Sequence, residues 1–120
     1  MAWVLDLDGV VWLGSAPIPG AADAMARVRA AGDEVLFVTN ASVRPVAEVE
    51  AQLADCGIDG RGRVLTSAVR AVDLVEPGET VLVAAGPGVT EELRRRGAVV
   101  VTEGEADELM VGFHLDFTYD

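Results

Sequence analysis

Apolar runs of strand length alternate with helical patterns along this sequence of 120 residues, and glycine or proline separates them. Strand-like runs cover residues 2–6, 34–39, 63–66, 80–85, 98–102 and 108–113; helical patterns cover residues 21–31, 45–56, 67–75 and 88–96. The strand-like runs are apolar at successive positions, so we expect a parallel sheet that is covered on both faces. The sequence therefore predicts an α/β fold, with the first strand central in a sheet formed within residues 1–77.

Two carboxylates follow the first apolar run. Residues 4–11 read VLDLDGVV, so Asp6 and Asp8 stand two positions apart. In an extended backbone they would face the same side, where two acids repel each other unless a cation or a proton is present. Mg²⁺ prefers carboxylate oxygens and leaves room for a substrate phosphate. The pair therefore predicts a site for Mg²⁺ and phosphoryl transfer.

The second strand-like run ends in Thr39 and Asn40. The carboxyl ends of parallel strands share one edge of the sheet, where ligands bind in such folds. We therefore expect Asp6, Asp8, Thr39 and Asn40 at the same edge. Each motif alone also has an ordinary structural explanation, because Asp-Gly is common in turns and Thr-Asn can cap a helix. The combination is much more specific than either part.

These motifs together carry a family resemblance. Ser42 and Arg44 follow the Thr-Asn pair, residues 65–68 (LTSA) open a helical pattern, and residues 112–119 read GFHLDFTY. The sequence resembles the N-terminal part of phosphatases of the haloacid dehalogenase superfamily. Within it, the resemblance is to the branch with a class II cap, which includes 4-nitrophenylphosphatases, phosphoglycolate phosphatases and pyridoxal-phosphate phosphatases. It implies the first half of a Rossmann-like core in residues 1–77 and the beginning of an α/β cap in residues 78–120.

The resemblance also implies roles for individual residues. Asp6 would be the nucleophile that forms an aspartyl-phosphate, and Asp8 the general acid and base. Asp6, and Asp8 through its backbone carbonyl, would bind Mg²⁺ as the cofactor. Gly9, Thr39 and Asn40 would contact the phosphate. The implied substrate is a small phosphorylated metabolite.

The sequence departs from the family pattern in two ways. Ala41 stands where the family commonly has a second asparagine. The sequence contains no lysine, and no Gly-Asp pair follows Ala41 to supply the remaining phosphate and metal ligands. We therefore expect an N-terminal portion that ends inside the cap and is close to inactive alone. The alternative is a non-catalytic, truncated remnant or an interaction module. An unpaired edge of the first strand would favour self-association, so a homo-oligomer is a further expectation.

Composition and single residues restrict other functions. Nine basic against twenty acidic residues give a net charge of −11, which argues against nucleic acid and anionic membranes as partners. The single Cys56, the absence of a basic N-terminal region and the absence of a long apolar run indicate a cytoplasmic protein. The single His114 excludes a zinc cluster of several histidines.

Two other site types are weakly indicated. The segment from Gly86 to Gly88 lies between a strand and a helix, but it lacks the third glycine of a dinucleotide loop. A phospho-receiver domain would need an acid after the third strand, where this sequence has Thr66 and Ser67.

Overall fold

The computed structural model describes residues 1–114, and the motif residues 115–119 lie outside this range. The chain forms two compact units. The first comprises residues 1–39 and 46–65, and the second comprises residues 40–45 and the chain from Thr66 onward. The division predicted at residue 77 stays a prediction.

A three-stranded sheet forms the centre of the first unit. The elements are β1 (Ala2–Asp6), β2 (Trp12–Leu13), β3 (Ala16–Pro17), α1 (Ala21–Ala30), β4 (Glu34–Thr39), α2 (Val46–Asp55) and β5 (Val64–Thr66). The sheet order is β1-β4-β5, and β1 runs parallel to β4 with Asp6 opposite Val38. A short antiparallel pair, β2 with β3, follows β1.

The core of the first unit lies on one face of this sheet. Phe37 of β4, Leu7 and Leu53 of α2 are fully buried, while Val4 and Leu36 on the other face are 63% and 38% exposed. The prediction of a sheet covered on both faces is therefore correct for only one face within residues 1–114. The prediction that the first strand is central is wrong for this range. β4 and β5 lie to one side of β1, and the described residues supply no strand for its other edge.

The second unit contains its own parallel sheet. Its elements are α3 (Ser67–Ala71), a 3-10 turn (Val72–Leu74), β6 (Thr80–Ala84), α4 (Pro87–Arg96), β7 (Val99–Val101) and β8 (Glu108–Val111). The sheet order is β7-β6-β8, with both pairs parallel. Its core is formed by Ala68, Val72, Val75, Val81, Val89 and Leu93. The predicted α/β fold is confirmed in both units.

The Gly86–Gly88 segment has a packing role in the second unit. The Gly88 N–H donates to the Val43 carbonyl at 2.8 Å. A Cβ atom added to Gly88 would lie 2.5 Å from the Ser42 carbonyl oxygen, and one added to Gly86 would lie 2.8 Å from Val43 Cα. The glycines therefore allow the backbone of residues 42–44 to approach the start of α4 closely.

None of the helices within residues 1–114 has the length and apolar character needed to cross a bilayer.

Candidate active site

A tight turn follows β1 and carries Asp8 and Gly9. The Leu7 carbonyl accepts the Val11 N–H at 2.9 Å, and the Gly9 N–H donates to the Trp12 carbonyl at 2.7 Å. Gly9 has a φ of +81°, which favours glycine. A Cβ atom added at Gly9 would meet nothing within 4 Å, so backbone conformation rather than crowding by this chain favours glycine there.

The turn corrects one part of the sequence argument. β1 ends at Asp6 and the chain bends at Leu7, so the extended backbone assumed between the two acids is absent. Leu7 is fully buried while Asp6 and Asp8 are both exposed. The acids follow the same strand, but the conformation of the turn, and not strand alternation, places Asp8.

Asp6 is the last residue of β1, and its carboxylate is partly anchored. Its Oδ1 atom accepts the N–H of Leu7 at 2.9 Å. Among the hydrogen bonds within residues 1–114, none is accepted by its Oδ2 atom. One oxygen of the exposed carboxylate is therefore free to approach an electrophile or a cation.

The Asp8 carboxylate accepts a hydrogen bond from a side chain, whereas that of Asp6 accepts one from the backbone. The indole Nε1–H of Trp12 donates to Oδ1 of Asp8 at 3.0 Å. Trp12 is only 4% exposed and belongs to the core of the first unit. The sequence alone leaves open whether Trp12 packs in the core or lies at the rim of the site. The spacing of four residues across an Asp-Gly turn was the one available signal for this contact.

Thr39 ends β4 beside the acid pair. Since Asp6 lies opposite Val38, Thr39 is one residue beyond the level of Asp6 on the neighbouring strand. The usual strand spacing and rise put the two Cα atoms roughly 6 Å apart. Thr39 is 7% exposed, on the same face of β4 as the buried Phe37. The prediction that Asp6 and Thr39 share an edge is confirmed.

Asn40 follows directly, but residues 40–45 belong to the second unit. Its side chain is exposed, and its backbone carbonyl accepts the Ser67 hydroxyl at 2.8 Å. Ser67 is thus a contact of the Thr-Asn segment that sequence reasoning did not assign. Asp6 and Thr39 lie at the same edge of the sheet, and Asp8 and Gly9 lie in the turn that follows Asp6. The roles predicted for these four residues and for Asn40 stay predictions.

The carboxylates of the acid pair are the type of ligand that a hard cation prefers, but two are too few to complete its coordination. Mg²⁺ takes about six oxygen ligands, and Asp6 and Asp8 are two carboxylates within one turn. No group of three histidine, cysteine, aspartate or glutamate side chains within residues 1–114 is arranged to hold a metal ion. These residues therefore provide part of a Mg²⁺ shell.

A groove in the first unit does not involve the acid pair. This groove of about 740 Å³ is lined by α2 residues and by residues 57–61, and includes none of the predicted site residues. The candidate site is therefore defined by the carboxylates of Asp6 and Asp8 and not by this groove.

Comparison with known proteins identifies similar sequences and structures. A family model described as haloacid dehalogenase-like hydrolase matches residues 3–99. An acid sugar phosphatase of Staphylococcus aureus is 29% identical over 99% of this chain and 48% of its own length.

Two solved structures extend the comparison. A p-nitrophenyl phosphatase from Archaeoglobus fulgidus superposes with a TM-score of 0.88, at 26% identity over 98% of this chain and 47% of that chain. A glycerol phosphate phosphatase from Mycobacterium tuberculosis, solved in complex with magnesium, superposes with a TM-score of 0.85. It is 30% identical over 98% of this chain and 37% of that chain. The chain thus spans about half the length of the curated relatives it matches.

Proposed function

Since this chain belongs to the haloacid dehalogenase-like hydrolase family, we propose that it is the N-terminal portion of a Mg²⁺-dependent phosphatase. The enzyme would hydrolyse phosphate monoesters of small metabolites through an aspartyl-phosphate. Its similarity to an acid sugar phosphatase and to a glycerol phosphate phosphatase supports this substrate class. The predicted cytoplasmic location belongs to the same proposal.

One observation carries this proposal. The exposed carboxylates of Asp6 and Asp8 follow β1, and Thr39 ends the neighbouring parallel strand one residue beyond the level of Asp6. Two carboxylates and a hydroxyl group therefore belong to a single sheet edge, which supports their proposed roles as nucleophile, acid and phosphate contact. Phosphoryl transfer depends mainly on such positioning and on charge stabilisation.

The proposed reaction has two steps. In the first, an oxygen of Asp6 attacks phosphorus and forms a P–O bond, the ester P–O bond breaks, and Asp8 gives its proton to the leaving oxygen. In the second, Asp8 takes a proton from water as the water oxygen attacks phosphorus. The P–O bond to Asp6 breaks, and phosphate and the Asp6 carboxylate are released.

Other residues of the site bind and orient. The Thr39 hydroxyl would donate to a phosphoryl oxygen, Asn40 would orient the phosphate, and the open space beside Gly9 would admit it. Mg²⁺, when bound by the Asp6 carboxylate and the Asp8 backbone carbonyl, would offset the negative charge of the phosphate.

The adduct on Asp6 is directly testable. With a chain extended through the remaining half of the relatives' length, we expect beryllium fluoride or labelled phosphate to attach to Asp6. Asp6→Asn should abolish turnover of 4-nitrophenyl phosphate, and Asp8→Asn should slow both steps. Asp55→Asn, at the exposed end of α2, is the matched control and should keep full activity. An adduct on another residue would refute the assignment.

The 120-residue chain itself should be close to inactive. The sequence contains no lysine to balance the phosphate charge, and the acid pair provides only part of a metal shell. The same observations favour a second candidate, a non-catalytic remnant or interaction module with this fold. Mg²⁺-dependent hydrolysis by the extended chain but not by the 120-residue chain would support the phosphatase. Absence of hydrolysis in both would favour the second candidate.

A further inference from the structure

We propose that Trp12 is a positioning residue for Asp8. Its indole N–H holds Oδ1 of Asp8, so that Oδ2 is the oxygen that gives and takes the proton. The inference rests on the proposed function, because the orientation of Asp8 matters to turnover only if Asp8 transfers a proton. The observation that carries it is the Nε1···Oδ1 distance of 3.0 Å between a buried donor and an exposed carboxylate.

Trp12 is anchored on several sides. Its ring is buried in the same core as Leu7 and Val11, and its backbone lies opposite Pro17 in the β2–β3 pair. Its carbonyl accepts the Gly9 N–H at 2.7 Å, which ties it to the turn that carries Asp8. A donor held in this way has few alternative positions.

A fixed donor restricts the Asp8 side chain, which is exposed and would otherwise be free to change rotamer. An exposed aspartate can occupy three staggered χ1 rotamers. A hydrogen bond to a carboxylate is stronger than one between neutral groups, and it therefore favours the rotamer that makes it. The indole N–H donates and cannot accept, so it does not compete for the proton that Asp8 would transfer. Within residues 1–114 no hydrogen bond engages the Oδ2 atom of Asp8.

The chain contains a matched reference for this contact. The indole N–H of Trp3 donates to Oδ2 of Asp33 at 3.0 Å, the same chemical pairing at the same distance. Asp33 directly precedes β4, at the opposite end of that strand from Thr39. Trp3→Phe therefore removes an equivalent contact away from the acid pair.

The orientation of the Asp8 side chain can be measured by nuclear magnetic resonance of the 120-residue chain. Three-bond couplings from the backbone ¹⁵N and ¹³C′ atoms to Cγ report the χ1 rotamer of each aspartate. We expect one dominant rotamer for Asp8 in the wild type and averaged couplings in Trp12→Phe. Trp3→Phe should leave the couplings of Asp8 unchanged. Unchanged Asp8 couplings in Trp12→Phe would overturn the inference.

A second variant separates the hydrogen bond from packing. In a Trp3→Phe background, benzothienylalanine at position 12 keeps the ring shape and replaces the N–H with sulfur. It should average the Asp8 couplings as Trp12→Phe does, while the amide spectrum of the core stays unchanged. A single Asp8 rotamer in this protein would show that packing, and not the indole N–H, orients the carboxylate.

Kinetics then connect the contact to the reaction. In the extended chain, Trp12→Phe should lower kcat for 4-nitrophenyl phosphate about tenfold with KM unchanged, the effect of one hydrogen bond to a charged group. Trp3→Phe should change neither constant. Unchanged kcat in Trp12→Phe would overturn the role in the reaction. A fully active Asp8→Asn chain would instead refute the proposed function. The couplings would still show whether Trp12 fixes the χ1 rotamer of Asp8.

Discussion

Replacement of Gly88 by alanine tests the close approach of α4 to the segment that follows Thr39. Gly88 is buried at the second residue of α4. Its added Cβ atom would lie 2.5 Å from the Ser42 carbonyl oxygen and closer still to that of Arg44, whereas ordinary contacts are 3.4–4 Å. Both neighbours are backbone atoms, so relief requires a movement of roughly 1 Å by the segment or by the helix.

The magnitude combines three effects. Overpacking of this kind costs about 1–3 kcal/mol, and loss of the hydrogen bond from Gly88 to Val43 costs about 1 kcal/mol. Alanine would return at most about 1 kcal/mol through its higher helix propensity. We therefore expect Gly88→Ala to lower the free energy of unfolding by about 2–3 kcal/mol, which corresponds to a decrease in Tm of roughly 10 °C.

Urea denaturation and thermal unfolding followed by circular dichroism measure this loss. Arg94→Ala, at an exposed position of the same helix, is the control. We expect that control to lose about 1 kcal/mol or less, because exposed substitutions of this kind change stability little. If Gly88→Ala were as stable as the wild type, helix propensity would outweigh the contact and the described packing would be wrong.

Three further predictions concern local contacts. Thr66 caps α3 by accepting the Val69 N–H at 3.2 Å, so Thr66→Ala should lose about 1 kcal/mol in urea denaturation, and Thr66→Ser should lose less. The N-terminal ammonium of Met1, 2.7 Å from Asp33, is the larger of two contacts that lower the pKa of Asp33 below its usual 3.8. The stability that this contact contributes is present above pH 3.8 and is lost as the pH falls through the lower pKa of the folded chain. The Tm of Asp33→Asn should therefore fall less than that of the wild type below this pH, and parallel curves would contradict the contact. Gly9→Ala should lower the free energy of unfolding by about 1–2 kcal/mol, because the φ at this position is positive. Gly9→Asn should lower it less, because asparagine tolerates this conformation better. Equal losses in urea denaturation would argue against the turn.

Local physical preferences made much of the chain predictable. The β-branched and aromatic run at residues 34–39 forms β4 with the predicted bounds. Gly97 ends α4 with a φ of +90°, as expected for a residue without a Cβ atom. The positions of Asp6 and Thr39 at strand ends follow from these bounds, and parallel pairing was expected from the apolar strands.

The prediction of a central, covered first strand failed because it depends on distant parts of the chain. Periodicity showed that the strands are apolar, but it did not show that β1 lies at an edge within residues 1–114 or that Val4 is exposed. Which strand lies beside which depends on pairing across many residues, and no local dihedral preference specifies it. The extended backbone expected between the acids failed for a local reason, because the chain bends at Leu7 and the Leu7 carbonyl accepts the Val11 N–H in the turn that follows.

The side-chain environment of the site was decided by tertiary structure alone. Asp8 and Trp12 are visible in the sequence as an acid and an indole four residues apart. Their hydrogen bond requires the turn at Gly9, the burial of the Trp12 ring and the β2–β3 pair to occur together. Residue types and local spacing thus determined which chemical groups the candidate site contains. Packing of distant residues determined how each group is oriented, because a hydrogen bond depends on positions that only the folded core holds in place.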